Sequence, residues 1–266
     1  MNARIVHDQL NRTVDIPTNP NRIVSLVPSQ TELLFSLGLR DRIAGRTKFC
    51  IHPQEEIKDI PIVGGTKNFR FDVIDQLNPD LIIANKEENY QEGIERLSIN
   101  YPVWISDIQT FQDSQDMILS IGHLTNTDDK AADLTRSIEE EWSKLPDFQG
   151  KSVIYLIWKD PWIAVGQNTF IDTVIQLLGL ANDIDESRYP QLPNEISSTP
   201  DYVFLSTEPY PFREGHIPMI QKHFPQSKVC LVDGEYFSWY GSRLLHAPHY
   251  FQDLYESIRT RNKPQA

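Results

Sequence analysis

Cysteine is scarce in this chain of 266 residues, which contains only Cys50 and Cys230. Two thiols so far apart in sequence predict free cysteines, and they cannot build a disulfide framework or a four-thiolate cluster. Long apolar runs are also missing, because the longest, such as residues 153–158, fall far short of the roughly 20 residues that a membrane-spanning helix needs. Hydrophobic residues make up 39% of the chain, which is typical of a globular protein with one large domain or two small ones.

Basic residues are few compared with acidic ones: 25 Lys and Arg stand against 37 Asp and Glu, and the net charge is -12. An acidic surface repels phosphate backbones and anionic headgroups, so nucleic acids and membrane surfaces are not expected partners. Residues 1–17 carry scattered charges and lack the apolar stretch of a secretion signal. The sequence therefore predicts either a cytoplasmic location or a signal that was removed earlier.

Motifs of the common enzyme classes are absent, because the chain has no G-x-S-x-G, P-loop, H-E-x-x-H or G-x-G-x-x-G pattern. We therefore predict that the protein is not an enzyme, although the acid pair Asp233 and Glu235 keeps an α/β enzyme as the second hypothesis. Cysteine and histidine come together at residues 50–52, and two histidines at residues 246–249. Neither group has a C-x-x-C partner, so no metal site is predicted.

Apolar runs and helical patterns alternate along the chain, which is typical of βαβ units and a mostly parallel sheet. A small hairpin at the start precedes two such series. The predicted strands of the first series are 22–26, 41–45, 81–84 and 103–105, with helices at 29–37, 72–77 and 88–97. The second series has strands at 153–158, 202–205 and 229–232, with helices at 168–178 and within 242–259. We predict an α/β fold of two lobes, each a mostly parallel sheet flanked by helices.

The stretch that separates the two series has the pattern of one long helix. Thr127 is a possible N-cap, and the apolar residues 131, 134, 138, 142 and 145 follow at steps of three and four. A helix of roughly five turns spans about 27 Å, which is enough to connect two lobes. The predicted domains are therefore an N-terminal lobe at 1–124, a connecting helix at 125–147 and a C-terminal lobe at 148–266. The alternative is an ordinary surface helix within one domain.

Several segments resemble the substrate-binding proteins of ABC transporters that carry cobalamin, haem and iron siderophores. These are Arg22–Glu32, Phe49-Cys50, Val63–Gly65 and the similar pair Asn78–Ile82 and Pro200–Val203. The cobalamin-binding members are the most similar. The resemblance implies two α/β lobes joined by one long helix, with a cleft between them that opens and closes little.

The same resemblance implies a function and a location. The protein would be a monomer without a covalently bound cofactor that captures cobalamin, haem or a ferric siderophore and delivers it to an ABC transporter permease. Its location would be periplasmic or otherwise extracytoplasmic. A cytoplasmic relative that carries or senses the ligand is the alternative.

Candidate ligand-binding residues lie in the loops that follow the predicted strands, since ligands of open parallel sheets bind beyond the carboxyl ends of the strands. Large aromatic rings suit the flat faces of a macrocycle, and cations can neutralise an anionic chelate. The candidates are Ser29, Gln30, Lys48, Phe49, Lys86, Trp158, Trp162, Tyr210, Trp239, Tyr240 and Arg243, and Lys159 and Arg213 are further possible cations. The alternatives are helix capping by Ser29 and core packing for some of the rings, above all Tyr236 and Phe237.

Two acidic residues are candidates for a different contact. In cobalamin-binding relatives, one acidic residue on the outer tip of each lobe pairs with transporter arginines, and the resemblance places Asp72 and Glu195 at these positions. The alternative for both is an acid that stabilises a helix N-terminus through the helix dipole.

Overall fold

The computed structural model describes residues 3–193 and 198–260. These residues form two compact units. The first comprises 3–108, 112–138 and 240–243, and the second comprises 109–111, 139–193, 198–239 and 244–260. The longest stretch of the second unit begins at Glu139, inside the long helix that the sequence predicts in this region, and the chain returns to the first unit at 240–243.

The first unit is built on a parallel sheet of four strands. Its elements are β1 (Ala3–His7), β2 (Thr13–Pro17), β3 (Ile23–Ser25), α1 (Pro28–Ser36), β4 (Ile43–Arg46), β5 (Gly64–Gly65), β6 (Asn68–Phe69), α2 (Phe71–Leu77), β7 (Leu81–Asn85), α3 (Gln91–Ser98), β8 (Val103–Ser106) and most of α4 (Phe111–Thr125) and α5 (Asp128–Trp142). The first residue of α4 and the last four residues of α5 belong to the second unit. The strand order is β4-β3-β7-β8, and β1 and β2 form the predicted hairpin. All residues of β3, β7 and β8 are buried, as expected for parallel strands covered on both faces.

Local backbone chemistry sets the ends of the helices in this unit. Gly38 has a φ of 77° and ends α1, and Asn78 is left-handed at the end of α2, directly before Pro79. The predicted capping role of Ser29 is wrong, because α1 begins at Pro28 after Val27, whose side chain makes no capping hydrogen bond. Proline suits the first turn of a helix because it has no N–H group to leave unpaired.

Helices α4 and α5 are consecutive and come into close contact. The sequence reasoning did not predict α4, although its buried residues Met117, Ile118 and Ile121 lie at helical spacing. Helix α5 ends at Trp142, three residues before Leu145, the last residue of the predicted apolar stripe. Of its predicted apolar stripe, Ala131, Ile138 and Trp142 are buried, and Leu134 and Leu145 are half-buried. A helix of this length spans about 22 Å.

The second unit also contains a mainly parallel sheet. Its elements are β9 (Ser152–Trp158), β10 (Ile163–Ala164), α6 (Phe170–Leu177), β11 (Ala181–Asn182), β12 (Tyr202–Ser206), α7 (Ile217–His223), β13 (Lys228–Val232), α8 (Gly234–Ser238) and α9 (Ala247–Thr260). The strand order is β10-β9-β12-β13, with β11 also paired to β9, and β10 is the antiparallel strand. Its core packs Ile154, Leu156 and Leu205 against Phe212 and Phe224.

Within residues 3–193 and 198–260, every helix is too short or too polar to cross a bilayer.

Candidate functional site

A buried polar network lies at the carboxyl end of the first sheet. The Asn85 side chain donates to Ser106 Oγ at 3.0 Å, and its own Oδ1 accepts hydrogen bonds from the backbone N–H groups of Glu87 and Glu88. Gln30 Nε2 also donates to Ser106 Oγ. Because Gln30 and its neighbour Ser29 are both buried, these two predicted ligand residues lie beneath the surface. In this structure Gln30 helps to fix the loop that carries Glu87 and Glu88.

The segment 240–243 packs on the first unit and fixes two further predicted ligand residues. The Tyr240 hydroxyl donates to Glu88 Oε1 at 3.2 Å, and burial raises the pKa of Tyr240 well above its ordinary value. The Arg243 guanidinium makes two hydrogen bonds to the Glu32 carboxylate, at 2.7 and 3.1 Å. The charge of Arg243 is therefore paired within the protein.

Two lysines at this edge of the first sheet have different surroundings. Lys86 directly follows β7, and its ammonium group lies 2.6 Å from the carboxylate of Asp107, which directly follows β8. Lys48 lies in the loop after β4, with its ammonium group 4.9 Å from the centre of the Phe49 ring. Half of the Phe49 surface is exposed (50%), so this ring can contact a ligand without a change in the core.

An aromatic cluster follows β9 at the carboxyl end of the second sheet. Trp158 is 40% exposed, and its ring packs edge-on against Tyr210 at 5.6 Å. Tyr210 packs in turn on the buried Phe212 at 4.7 Å. Trp162 is half-buried against the core of the unit and lies 6.0 Å from the His223 ring. Trp158 therefore presents an exposed ring on a base of packed aromatic side chains.

A buried carboxylate lies after β12 in the same unit. Glu208 Oε1 accepts hydrogen bonds from Ser238 Oγ at 2.5 Å and from Trp239 Nε1 at 3.0 Å. Burial, with a contribution from the nearby charge of Glu235, raises the pKa of Glu208 to about 6. Trp239, a predicted ligand residue, is only 7% exposed. The sequence analysis did not single out Glu208. The signal that could have found it is its position, two residues after the buried strand β12.

Two other rings follow β13, and core packing is the alternative that the sequence favours for both: Phe237 is buried, whereas Tyr236 is half-buried. Phe237 is fully buried, with its ring 4.9 Å from that of Phe251. Tyr236 stacks on Tyr250 at 4.6 Å, and the Tyr250 hydroxyl accepts a hydrogen bond from the backbone N–H of Asp233. Both contacts join α8 to α9.

The possible metal-ligand group around Cys50 is a buried hydroxyl–thiol cluster. Thr31 and Thr47 place their hydroxyls 3.1 Å from the thiol of Cys50, and burial raises its pKa. A raised pKa disfavours the thiolate that would ligate a metal. Among residues 3–193 and 198–260, we find no group of three or more His, Cys, Asp or Glu side chains that could hold a metal ion.

Of the two acidic residues predicted to contact a transporter, only Asp72 lies within the described residues. Asp72 lies in the first turn of α2 with a side chain 69% exposed, and its carboxylate is 4.0 Å from the guanidinium of Arg70. Glu195 lies outside the described residues.

A surface pocket of about 590 Å³ also lies in the first unit, between β1 and the helices α4 and α5. Its lining includes His7, Trp104, Leu119 and His123, and none of the predicted ligand residues. The carboxyl ends of the strands carry the exposed rings and the charged groups, so the candidate site remains there.

Two parallel-sheet units with aromatic and charged side chains at the ends of their strands have the build of a solute-binding protein. The family model described as periplasmic binding protein matches residues 23–228, and the chain belongs to this family. The family assignment confirms the resemblance that the sequence motifs indicate.

Individual relatives are similar to the chain over most of its length. It is 27% identical over 280 aligned positions to the uncharacterized ABC transporter substrate-binding lipoprotein YvrC of Bacillus subtilis, covering 95% of this chain and 84% of the relative. It is 24% identical over 210 positions to a vitamin B12-binding protein of Vibrio cholerae, covering 76% and 75% of the two chains.

Solved structures confirm the predicted fold class. The periplasmic vitamin B12-binding protein BtuF of Vibrio cholerae superposes with a TM-score of 0.77 at 22% identity, covering 91% of this chain and all of that one. The haem-binding protein BhuT gives a TM-score of 0.77 at 20% identity, covering 89% and 98%.

Proposed function

We propose that this protein captures a metal chelate of the corrinoid, haem or ferric-siderophore type and delivers it, chemically unchanged, to an ABC importer. The observation that carries the proposal is the pair of exposed rings at strand ends, Phe49 in the first unit and Trp158 in the second, in a member of the periplasmic binding protein family. Flat rings bind the faces of macrocycles and aromatic chelators, and exposed rings contact a ligand at little cost to the fold.

The names of the relatives support both the class of ligand and the route of delivery. Relatives named for vitamin B12 and a structural neighbour named for haem share the fold. A relative named as an ABC transporter substrate-binding lipoprotein supports a permease partner and an extracytoplasmic location. In this proposal the exposed carboxylate of Asp72 is one contact with the permease, and Glu195 is the second.

Native mass spectrometry tests the proposal directly. The purified protein is incubated separately with cyanocobalamin, hemin and a ferric hydroxamate siderophore, and the visible absorption spectrum is recorded before and after. We expect one of the three chelates to add a single ligand mass and to be recovered intact. If none of them binds, the proposal is wrong, and a bound chelate that is chemically converted would support the enzyme hypothesis instead.

A further inference from the structure

A histidine beside the aromatic cluster of the second unit has a part that the proposed function does not yet assign. Resting on that function, we infer that His216 donates a hydrogen bond from Nε2 to an oxygen atom of the bound chelate and does not ligate its metal ion. His216 is the last residue of the 3₁₀ turn Glu214–His216, which lies between β12 and α7. Its role is to orient the chelate and to favour chelates that carry an oxygen acceptor at this place on their rim.

His216 belongs to the same aromatic cluster as the exposed ring of Trp158. The ring of Tyr210 lies 5.6 Å from that of Trp158 and 5.8 Å from that of His216. The buried Phe212 ring packs edge-on against His216 at 5.6 Å, and His216 itself is half-buried. Because a chelate is larger than one aromatic side chain, a chelate that lies on Trp158 and Tyr210 comes within reach of His216.

A hydrogen bond at one ring nitrogen fixes the tautomer of His216. The backbone N–H of Arg213 donates to Nδ1 of His216 at 2.9 Å. A ring nitrogen that accepts a hydrogen bond carries no proton, so the proton of the neutral imidazole is on Nε2. A proton on Nδ1 would instead place two N–H groups against each other, since the backbone nitrogen of Arg213 can only donate.

This tautomer disfavours metal ligation and leaves Nε2 of His216 as a donor. A histidine ligates a metal ion through an unprotonated nitrogen, and its other ring nitrogen then usually donates to a carbonyl or carboxylate oxygen. At His216 the nitrogen that faces the backbone is the acceptor, so the arrangement is reversed. Within residues 3–193 and 198–260, Nε2 makes no hydrogen bond and is not among the buried polar atoms that lack a partner. It is therefore accessible to an oxygen atom of a ligand.

Two substitutions of different length separate this role from a purely structural one. The side-chain amide of Asn lies where Nδ1 of a histidine lies, and that of Gln reaches the position of Nε2. His216→Asn therefore keeps an acceptor for the N–H of Arg213 and removes the donor. His216→Gln keeps a donor at the position of Nε2 and removes the acceptor near the backbone.

Isothermal titration calorimetry of the protein with cyanocobalamin, hemin and a ferric hydroxamate siderophore measures the effect, because each of these chelates has oxygen acceptors. For any of them that the wild type binds, His216→Asn should weaken binding by about threefold to tenfold, the size of one hydrogen bond. His216→Gln should stay within about twofold of the wild type. His7→Asn is the matched control, because His7 is an exposed histidine of β1 in the first unit, and it should leave the affinity unchanged.

Nuclear magnetic resonance tests the tautomer without a ligand. Proton–nitrogen correlation spectra of the isotope-labelled protein are recorded at about pH 8.5, where an ordinary histidine side chain is neutral. We expect Nε2 of His216 to have the chemical shift of a protonated nitrogen and Nδ1 that of an unprotonated one. The signals are assigned by their loss in His216→Asn.

The outcomes distinguish this inference from the function on which it rests. A proton on Nδ1, or wild-type affinity in His216→Asn, overturns the inference and leaves chelate capture standing. Weaker binding by His216→Gln than by His216→Asn would mean that His216 only caps its turn, and a changed axial ligation in the visible spectrum of the chelate bound to His216→Asn would mean that His216 ligates the metal; either result overturns the inference. Binding of none of the three chelates overturns chelate capture and this inference with it.

Discussion

The side chain of Glu208 is acidic, and its ionised form destabilises the folded protein because the carboxylate is mostly buried. It accepts hydrogen bonds from Ser238 and Trp239, which satisfy the carboxylate only in part, and burial raises its pKa to about 6 from the ordinary value of 4.5. A raised pKa in the folded state means that folding favours the protonated form. The ionised form therefore lowers the free energy of unfolding, and this loss develops as the pH rises from 4.5 through 6.

Replacing Glu208 with Gln should raise the free energy of unfolding at pH 7.5 by about 2 kcal/mol, because an elevation of the pKa by about 1.5 units corresponds to that energy. The amide oxygen of Gln can still accept from Ser238 and Trp239. Below pH 4.5 the gain should disappear, since Glu208 is then protonated in both states. Urea unfolding of the wild type and the variant at both pH values measures the difference.

The control for this prediction is Glu139→Gln on the exposed face of α5, which should not reproduce the pH-dependent gain. A gain for Glu208→Gln that is the same at pH 4 and pH 7.5 would contradict the proposed effect of burial on this carboxylate.

The residues of the candidate site could be predicted only in part from the sequence. Phe49 in the loop after β4 and Trp158 at the end of β9 are exposed, as the rule for parallel sheets suggests. Pairing across the fold was not predictable: the partner of Arg243, Glu32, is 211 residues away. The burial of Gln30 and Trp239 likewise depends on tertiary neighbours, which no local pattern specifies.

The contact between α4 and α5 depends on the absence of a side chain at Gly122. A Cβ atom built at Gly122 would lie 2.4 Å from the Cβ of Ala131 and 3.3 Å from the carbonyl oxygen of Thr127. Both neighbours are held by the helices, so the contact can be relieved only by a backbone shift.

Gly122→Ala should therefore lower the free energy of unfolding by about 1–3 kcal/mol through overpacking. This would reverse the gain of up to about 1 kcal/mol that alanine brings to an unconstrained helical position. Denaturant unfolding measures the change. Gly215→Ala is the control, because a Cβ there meets nothing within 4 Å, and it should stay within about 0.5 kcal/mol of the wild type. A Gly122→Ala variant as stable as the wild type would refute the close contact.

Two of the helices that the sequence did not predict, α7 and α8, have weak local signals. Helix α7 has seven residues and α8 has five, which is too short for a periodic pattern to stand out. Helix α8 also begins at Gly234, a residue that usually breaks a helix. The side chain of Asp233 caps it by accepting from the N–H of Glu235. Buried parallel strands were easier to predict, because their apolar runs are continuous.

The order of motifs along the whole chain carried more information than any single motif. Short segments such as 78–82 and 200–203 are unspecific alone, but their spacing indicated the family that the match over residues 23–228 confirms. The bounds of the two units were less predictable. Residues 109–111 belong to the second unit and 240–243 to the first. Neither the composition nor the periodicity of these two short segments predicts that assignment.

Calorimetric affinity of two single variants, one in each unit, tests the proposal that rings at strand ends bind the chelate. Phe49→Ala and Trp158→Ala should each weaken binding of the preferred chelate by about tenfold, because an aromatic contact is worth about 0.5–1.5 kcal/mol beyond the area that it buries, and tenfold corresponds to about 1.4 kcal/mol. Their thermal stability should change little, since both rings are exposed. Ile99→Ala, at a residue 79% exposed in the loop before β8, should bind as the wild type does. Wild-type affinity in both ring variants would contradict the proposed mode of binding.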